Sequence, residues 1–535
     1  MSLGSRSVLM ALAAFACAAT LALASCGGDD GESTVSGENG REARVGSLPA
    51  DAEKIFAKDP YSSARWTYRV QPVGSDDPTL AAGDEIMTVL GSTAKNFTVA
   101  SAYETLGPDK KITTPVYEVE GELVLVAMGD LAMGGRGAMK GDFNSSSIDK
   151  VYANAIPGAS IPEGNPLAGL RALAKQTADS GVKSVRDVNI DDRLFEAYDA
   201  GGTGGGAVSP IVINDNQVDI KLTPTEPGEP VKVEVIPETD LYSVDVDVKT
   251  VDGDGGGEES GQDLGVIPGD NPNSLTVEGS IEADGDPAVR SLIPPDPALF
   301  AKTLFIAELE EAGVKVTNPT DKNDLEGLPA FDAYEKSDEV AALTSPPIKE
   351  FGSMILTTSY NQGADMMLCY LAIDLGSDDC DDGLKTINAL VKDDADIEPS
   401  KVVLVDGHGG DPASATPEAI NAWLQWITER PWSADFEAGL PVLGESGSLA
   451  SSGADSPARG KVAAKTGTSV RPYPPEFRLF VTTQGLAGYM ESDEGKQIFS
   501  LYVGGATFDE IIPGLFEVGG DVADVSAAFQ QSLTE

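Results

Sequence analysis

The chain has 535 residues, 41% of them hydrophobic, and carries 86 acidic against 37 basic side chains for a net charge of −49. This length exceeds what one compact core supports, so we expect two to four domains of an α/β or α+β class. The acidity argues against nucleic acid as a partner, because phosphate binding needs a basic face. We interpret the charge as that of a highly soluble exported protein, with binding of a cationic partner as the alternative.

The N-terminal segment is typical of an exported lipoprotein. Residues 8–24 form an apolar run that is short for a membrane span and ends in small residues, as a signal peptide does. The sequence LASCG at residues 23–27 resembles a bacterial lipobox. We predict a signal peptide over 1–26 with Cys26 as the lipidation site, and a flexible tether over 27–46. The alternative is a plain signal peptide with an incidental Cys26.

This segment also predicts the compartment. A lipidated cysteine would hold the protein on the outer face of the bacterial cell membrane. No later stretch is long and apolar enough to span a membrane.

Helix and strand patterns alternate along the first 200 residues. Strands are indicated where apolar and polar residues alternate, and helices where apolar residues recur at helical spacing. The predicted elements are a strand at 65–73, a helix at 91–107, two strands about a Gly turn at 115–130, a helix at 167–181 and a strand at 182–195.

Residues 200–285 differ in character. Two Gly-rich runs and several short alternating segments predict a small β-rich module. A helix followed by a strand returns at 296–316, and the last third mixes helices and strands. A strand pair is clearest at 477–490 and 495–506.

The chain contains four cysteines. Cys17 leaves with the signal peptide and Cys26 is the lipid site, so Cys369 and Cys380 remain as a pair. An unbroken helix would hold their Cα atoms about 16 Å apart, too far for a bridge. The GSDD sequence at 376–379 offers a chain reversal. We predict a disulfide, with two free thiols as the alternative.

Ser92-x-x-Lys95 combines a nucleophile with a base at the start of the predicted helix. An i,i+3 pair lies on one helix face, so both side chains can point into one cleft. Serine needs a neighbouring base, and lysine serves only if its amine is neutral, which burial or a nearby cation brings about. Alone, the pattern is weak and is more typical of a capping serine and a surface lysine.

Two later motifs change that interpretation. Ser-x-x-Lys, then Ser-x-Asn at the head of an apolar helix, then Lys-Thr-Gly in a strand-like run, resembles penicillin-binding proteins and serine β-lactamases. Longer segments such as NDNQVDIKLTP and LPVLGESGSLA are similar to the class C low-molecular-mass penicillin-binding proteins, the D-alanyl-D-alanine carboxypeptidase/endopeptidase family. The similarity covers about residues 48–515. The later motif residues are Ser359, Asn361, Lys465, Thr466, Gly467 and Thr468.

The resemblance implies an α+β fold: a transpeptidase-like domain, with an antiparallel sheet packed against helices, that contains two nested inserted domains. Residues 96–358 separate the first two motifs and leave room for both insertions. We predict the catalytic domain at 47–112 and 340–535, the inserted domain at 113–199 and 286–339, and the nested β-rich domain at 200–285.

The resemblance also implies a role for each of the first motif residues. Ser92 would attack the carbonyl of the penultimate D-Ala and form an acyl-enzyme, with Lys95 as its general base. Ser359 would relay a proton toward the leaving D-Ala, and Asn361 would hydrogen-bond the substrate amide and Lys95.

The third motif would bind the substrate. Lys465 would recognise its terminal carboxylate and help keep Lys95 neutral, and Thr466 would help bind that carboxylate. Gly467 would let the substrate approach. Thr468 would align the substrate as an added strand, and its N–H would complete an oxyanion hole with that of Ser92.

The chain departs from the commoner family form at His408, its only histidine, which replaces the serine of an Asp-Gly-Ser-Gly loop. We expect His408 on the rim of the cleft, with a direct substrate contact as the alternative. A lone histidine does not build the usual His-rich metal site, so we predict neither metal nor cofactor. The segment SLYVGGATF also lacks an Asn that the family often carries there.

The leading functional hypothesis is a penicillin-binding serine DD-peptidase acting on peptidoglycan stem peptides that end in D-Ala-D-Ala. The alternatives are an endopeptidase of D-Ala–diaminopimelate crosslinks, a β-lactamase, and a non-catalytic wall-binding lipoprotein. The long insertion argues against the β-lactamase, and the filled motif positions argue against a relic site. The sequence leaves the oligomeric state open.

Overall fold

The structure describes most of the chain, but it leaves out the N-terminal segment and several internal stretches. Cys26 and almost all of the predicted tether lie outside it, so the signal peptide and lipidation site stay predictions. Among the residues that it does cover, we find no helix with the length and apolar character needed to cross a membrane. The computed structural model describes residues 44–133, 161, 165–199, 206–253, 262–269, 271, 273–473 and 478–534.

Strands occupy both the catalytic part and the insertion. They are β1 (Arg44–Val45), β2 (Arg65–Pro72), β3 (Leu80–Ala82), β4 (Thr88–Val89), β5 (Thr113–Val119), β6 (Glu122–Val126), β7 (Ser184–Val185), β8 (Val188–Asp191), β9 (Val218–Thr223), β10 (Lys232–Ile236), β11 (Ser243–Val251), β12 (Gln262–Pro268), β13 (Ser274–Glu282), β14 (Ala288–Leu292), β15 (Lys315–Val316), β16 (Glu339–Thr344), β17 (Val402–Val403), β18 (Ser414–Ala415), β19 (Val462–Tyr473), β20 (Arg478–Ser492), β21 (Gly495–Gly504) and β22 (Ala506–Phe508).

Helices surround these strands. The α-helices are α1 (Ala50–Phe56), α2 (Lys95–Leu106), α3 (Ala168–Asp179), α4 (Pro297–Glu311), α5 (Ile348–Thr358), α6 (Asn361–Asp374), α7 (Gly383–Ala389), α8 (Pro417–Thr428), α9 (Ser433–Ala438) and α10 (Ile511–Ser532). Short 3₁₀ turns lie at Asp59–Tyr61, Gly91–Ala94, Asn214–Asn216, Lys336–Asp338, Cys380–Asp382, Pro399–Lys401 and Gly447–Leu449, and a π turn lies at Leu390–Asp394.

An antiparallel sheet in the order β1-β3-β2-β21-β20-β19, with β22 also on β20, forms the centre of the catalytic part. Both of its faces are buried. In β21, Ile498 and Tyr502 pack into the helical layer of α2, α5, α6 and α8, whereas Phe499 and Leu501 pack beneath α1 and α10. Successive side chains of a strand point to opposite faces of the sheet, so alternate residues of β21 enter the two layers. The third motif lies on β19, an edge strand of this sheet.

The insertion contains its own sheets and core. A four-stranded sheet, β16-β5-β6-β8, packs with α3 and α4, and two three-stranded sheets, β10-β9-β14 and β11-β13-β12, follow the predicted β-rich character of 200–285. Because β14 pairs with β9, the β-rich part continues to Leu292, and because β16 pairs with β5, the inserted sheet continues to Thr344. The predicted domain boundaries themselves stay predictions.

Candidate active site

The Ser92 hydroxyl is presented by a tight turn immediately before α2. Ser92 lies in the 3₁₀ turn Gly91–Ala94, and Lys95 is the first residue of the α-helix. Gly91 has a φ of 49°, and a Cβ there would lie 2.7 Å from the backbone nitrogen of Thr468. Only glycine meets both requirements, so the turn packs directly on β19.

Lys95 is the centre of the site. Its side chain is fully buried. Its Nζ donates to Ser92 Oγ at 2.7 Å, to Asn361 Oδ1 at 2.6 Å and to the His408 carbonyl oxygen at 3.0 Å. The three acceptors come from one turn earlier, from α6 and from the loop before β18. The first two motifs therefore meet at one buried amine.

The charge of Lys95 is set mainly by burial. Burial lowers its pKa from the usual 10.5 to about 7, while the carboxylates of Asp365 and Asp406 act in the opposite direction. Close to neutral pH the amine is therefore divided between its charged and neutral forms. A base with its pKa near the working pH is well suited to proton transfer.

Lys465 is fully buried nearby, and its pKa lies well below the usual 10.5. Burial is the largest cause, and the positive charge of Lys95 lowers the pKa of Lys465 further. We had expected Lys465 to supply a positive charge that helps keep Lys95 neutral, and this role stays a prediction. Burial is the main cause that lowers the pKa of both lysines, and their two positive charges disfavour each other.

Ser359 and Asn361 come from the junction of two helices. Ser359 ends α5 in the left-handed conformation, with φ 62° and ψ 33°, and Asn361 begins α6 two residues later. Ser359 is half-buried and Asn361 is buried. A non-glycine residue with positive φ is uncommon and is found preferentially at functional sites. The reversal turns Asn361 toward Lys95.

The third motif forms a hydroxyl-lined end of the site. Lys465 Nζ donates to the carbonyl oxygen of Thr466 at 2.9 Å. The hydroxyls of Thr466 and Ser448 lie 2.7 Å apart, and Ser448 comes from the short turn Gly447–Leu449. The sequence assigned no role to Ser448, although it lies in the segment LPVLGESGSLA that supported the family resemblance.

Gly467 and Thr468 set the distance between β19 and the Ser92 turn. A Cβ on Gly467 would lie 2.3 Å from the carbonyl oxygen of Leu90, so this face of Gly467 packs on the turn. Its expected role in substrate access stays a prediction. Thr468 is exposed, and its hydroxyl donates to Gln484 Oε1 on the neighbouring strand at 2.7 Å.

We had expected His408 on a loop at the rim of the cleft; it lies in the loop between β17 and β18, and its side chain is buried. It is 8% exposed, and its Nδ1 lies 2.8 Å from Oδ2 of Asp365. Asp365 is itself fully buried on α6, one helical turn after Asn361. The attraction of the imidazole to this buried carboxylate draws the ring inward, and no local sequence pattern shows that pairing.

Asp365, Asp406 and His408 form a cluster of possible metal ligands within 4.8 Å. The carboxylate oxygens of both aspartates and Nδ1 of His408 are already engaged by protein groups. The Asp365 carboxylate accepts from the Gly407 N–H at 2.9 Å, besides its contact with the ring. The Asp406 carboxylate accepts from three successive backbone N–H groups, at 408–410. The arrangement is that of a hydrogen-bonded loop.

The cysteine pair lies behind the site. Cys369 and Cys380 form a disulfide with their Cα atoms 4.2 Å apart. The helix α6, which carries Asn361, ends at Asp374, and the chain reverses before the turn that begins at Cys380. The bridge thus joins the end of α6 to the segment that follows it.

The insertion also reaches the site. The Tyr360 hydroxyl, between Ser359 and Asn361, lies 3.0 Å from Asp215 Oδ1. Asp215 is the middle of three consecutive residues with positive φ, 214–216, and is buried. A segment of the insertion therefore contacts the second motif from behind.

Comparison with known proteins decides the family. The D-Ala-D-Ala carboxypeptidase 3 (S13) family matches residues 48–512. The chain belongs to this family. It is a serine-type DD-carboxypeptidase that acts on peptidoglycan, and the predicted class C resemblance is confirmed.

Individual relatives agree with this assignment. A D-alanyl-D-alanine carboxypeptidase of Actinomadura sp. (strain R39) is 27% identical over 466 residues, covering 82% of this chain and 78% of the relative. A penicillin-sensitive carboxypeptidase A of Dictyostelium discoideum is 25% identical over 70% of this chain and 71% of its own.

The fold is confirmed by solved structures. Penicillin binding protein 4 of Haemophilus influenzae matches with a TM-score of 0.62 at 18% identity, over 85% of this chain and 93% of that chain. A complex of that protein with a β-lactam matches with a TM-score of 0.61 at 16% identity, over 91% of this chain and all of that chain. The predicted α+β transpeptidase-like fold is therefore correct.

Proposed function

We propose that Ser92 is the nucleophile that removes the terminal D-Ala from stem peptides, with Lys95 as its general base. The observation that carries this proposal is the 2.7 Å contact between Ser92 Oγ and a fully buried Lys95 Nζ. A hydroxyl becomes an effective nucleophile when an adjacent base accepts its proton.

The two other partners of Lys95 direct its lone pair. Asn361 Oδ1 and the His408 carbonyl oxygen can only accept hydrogen bonds. A neutral amine has two N–H groups, so both are used by these acceptors. The lone pair that remains faces the third neighbour, the Ser92 hydroxyl. In the charged form, all three N–H groups donate instead, and Lys95 cannot accept a proton.

The acylation step follows from this geometry. Ser92 Oγ bonds to the carbonyl carbon of the penultimate D-Ala while its proton passes to Lys95 Nζ. The backbone N–H groups of Ser92 and Thr468 stabilise the oxyanion, each lowering the barrier by about 3–4 kcal/mol. The C–N bond then breaks, and Ser359 relays the proton that Lys95 took from Ser92 to the departing amine of D-Ala, so that Ser359 ends protonated and Lys95 neutral. Water hydrolyses the ester and restores Ser92.

We place the terminal carboxylate of the substrate against Lys465 and Thr466. The carboxylate would make protonation of Lys465 favourable, because an opposite charge raises the pKa of an amine. Ser448 supports this end of the site by fixing the Thr466 hydroxyl. Binding of the correct substrate would therefore be coupled to uptake of a proton.

Labelled penicillin and a D-Ala-D-Ala peptide test the proposal together. We expect the wild-type protein to be acylated at Ser92 and to release D-Ala, measured by mass spectrometry. Ser92→Ala should lose both activities, whereas Ser526→Ala, a buried serine in α10, should keep both. Covalent labelling of the Ser92→Ala variant would refute the proposal. Incubation with wall material separates the two peptidase activities, because loss of pentapeptides and loss of crosslinked dimers are distinct products.

We also propose that Cys26 is lipidated and holds the enzyme on the outer face of the cell membrane. The support is the apolar run over 8–24 and the lipobox-like sequence that ends it. In cells, wild-type protein should partition with membranes and Cys26→Ala should not. Recovery of both proteins in the soluble fraction would contradict the anchor.

A further inference from the structure

We propose that Asp365 and His408 are positioning residues that hold the general base Lys95 in its productive orientation. The pair acts on the backbone carbonyl of His408, one of the two acceptors that direct the amine. This inference rests on the proposed function of Ser92 and Lys95. It concerns the position at which this chain departs from the serine of the commoner family form.

The loop from 406 to 410 is held from three sides. Asp365 on α6 accepts from the N–H of Gly407 at 2.9 Å and contacts the His408 ring at 2.8 Å. Thr98 on α2 donates to the carbonyl oxygen of Gly407 at 2.6 Å. Asp406 closes the loop by accepting from the N–H groups that follow it. Each contact lies within two residues of the His408 carbonyl.

The loop also packs on the turn that carries the nucleophile. A Cβ at Gly409 would lie 2.0 Å from the carbonyl oxygen of Gly91, which excludes any larger residue. A shift of the loop would therefore displace either the carbonyl that binds Lys95 or the turn that presents Ser92. The imidazole ties this loop to α6 in addition to the hydrogen bond from the Gly407 N–H to Asp365.

The same pair places a negative charge near the base. The Asp365 carboxylate is one cause that keeps the pKa of Lys95 from falling further. Burial raises the pKa of Asp365 above its usual value, and the hydrogen bond from His408 opposes this rise. The ionisable groups that face Lys95 and these carboxylates are Asp365 on α6, Asp406 and His408 on the loop, Lys465 on β19, and Tyr198 from the insertion.

The test measures acylation of the full chain by labelled penicillin from roughly pH 5 to pH 9, separating the binding constant K from the acylation rate k2. His408→Leu removes the contact with Asp365. We expect k2 to fall about 10- to 100-fold with K unchanged, because a small misplacement of a catalytic group has effects of this size. His408→Asn keeps an N–H near the position of Nδ1, and we expect it to recover most of k2.

Asp365→Asn keeps an acceptor for Gly407 but removes the charge. Because that charge raises the pKa of Lys95, its loss should move the acid limb of the k2 profile to lower pH by roughly half a unit or more. The matched control is Asp521→Asn. Asp521 is another buried carboxylate; it lies on α10 and accepts hydrogen bonds from Lys58 and Tyr61. It should lower the melting temperature and leave the midpoint of the acid limb unchanged.

The outcomes separate this inference from the proposed function. Wild-type k2 in His408→Leu, equal losses in His408→Leu and His408→Asn, or an unmoved acid limb in Asp365→Asn would each overturn the inference alone. If His408→Leu does not fold, His408→Asn and Asp365→Asn decide the matter in the same way. Failure of penicillin to acylate the wild-type protein would overturn the proposed function and this inference together.

Discussion

The amide oxygen of Asn361 lies 2.6 Å from the buried amine of Lys95, although 266 positions separate the two residues. This contact joins α6 to α2 and uses one of the N–H groups of the amine. The His408 carbonyl oxygen accepts from the second N–H group of the neutral amine, so the lone pair of Lys95 points toward Ser92. Activity should therefore respond to changes in either the charge or the orientation of Lys95.

The first prediction is a pH dependence of acylation. Lys95 accepts a proton only when neutral, and its pKa is about 7. The rate constant k2 should therefore rise with pH and reach half its maximum close to pH 7, where half of the amine is neutral. Stopped-flow acylation by a fluorescent penicillin measures this midpoint. A rate that is independent of pH through neutrality would contradict Lys95 as the base.

A second prediction concerns the charge at position 361. Asn361→Asp places a carboxylate beside Lys95, and a nearby opposite charge raises the pKa of an amine. The acid limb should move to higher pH by about one unit or more, with a lower rate at neutral pH. Asn361→Ala removes the acceptor without adding charge, so it should slow acylation without that upward shift. Equal midpoints in the two variants would argue against direct contact in solution.

A third prediction is that burial of the Lys95 amine lowers the free energy of unfolding. The pKa of Lys95 is about 7 in the folded protein and 10.5 when solvated, so the unfolded chain binds more protons between these values. The cost is fully present below about pH 7 and disappears as pH rises toward 10.5. Lys95→Met should therefore raise the free energy of unfolding by about 1–4 kcal/mol at neutral pH while abolishing acylation.

The control for this prediction is Lys302, another fully buried lysine. It is paired with Asp187 at 3.1 Å, so Lys302→Met leaves a buried carboxylate without its partner. We expect destabilisation by about 3–5 kcal/mol. Chemical denaturation of both variants gives the comparison. A loss of stability in Lys95→Met would show that its hydrogen bonds outweigh the cost of burial.

A fourth prediction concerns the spacing of β19 from the nucleophile turn. Gly467→Ala would place a Cβ 2.3 Å from the Leu90 carbonyl oxygen, a backbone atom that cannot rotate away. The strand must move, and we expect a loss of about 1–3 kcal/mol in stability and slower acylation. Gly519→Ala on α10 meets no atom within 4 Å and should be neutral or slightly stabilising. Similar effects of both substitutions would contradict this packing.

Local patterns predicted which motif residues meet in the candidate site and could not predict which other residues hold them in position. Ser92 and Lys95 are three residues apart, so one helix turn already relates them, and the motif order related them to Asn361. Asp365 and His408 are 43 residues apart on a helix and a loop, and nothing in either segment indicates the pairing. The interaction between Lys95 and Lys465 was expected, but the sequence did not indicate that burial would be the main cause of the lowered pKa of both lysines.

Strand pairing shows the same limit. The alternation in β20 and β21 predicted both strands and that they form a pair, and the structure pairs them antiparallel. The parallel pairing of β11 with β13 and the continuation of the nested sheet to β14 depend on packing between distant segments. The register between strands that are far apart in the sequence depends on which of their faces become buried. Local alternation within each strand does not determine it.

The contact between Tyr360 and Asp215 limits how this enzyme can be shortened. Asp215 belongs to a buried segment whose three left-handed residues are held in place by the rest of the insertion. Deleting the insertion would expose the back of Tyr360 and leave the reversal between Ser359 and Asn361 without that support. A minimal catalytic domain would therefore need a redesigned wall behind its second motif, so the insertion and the cleft have to be engineered as one unit.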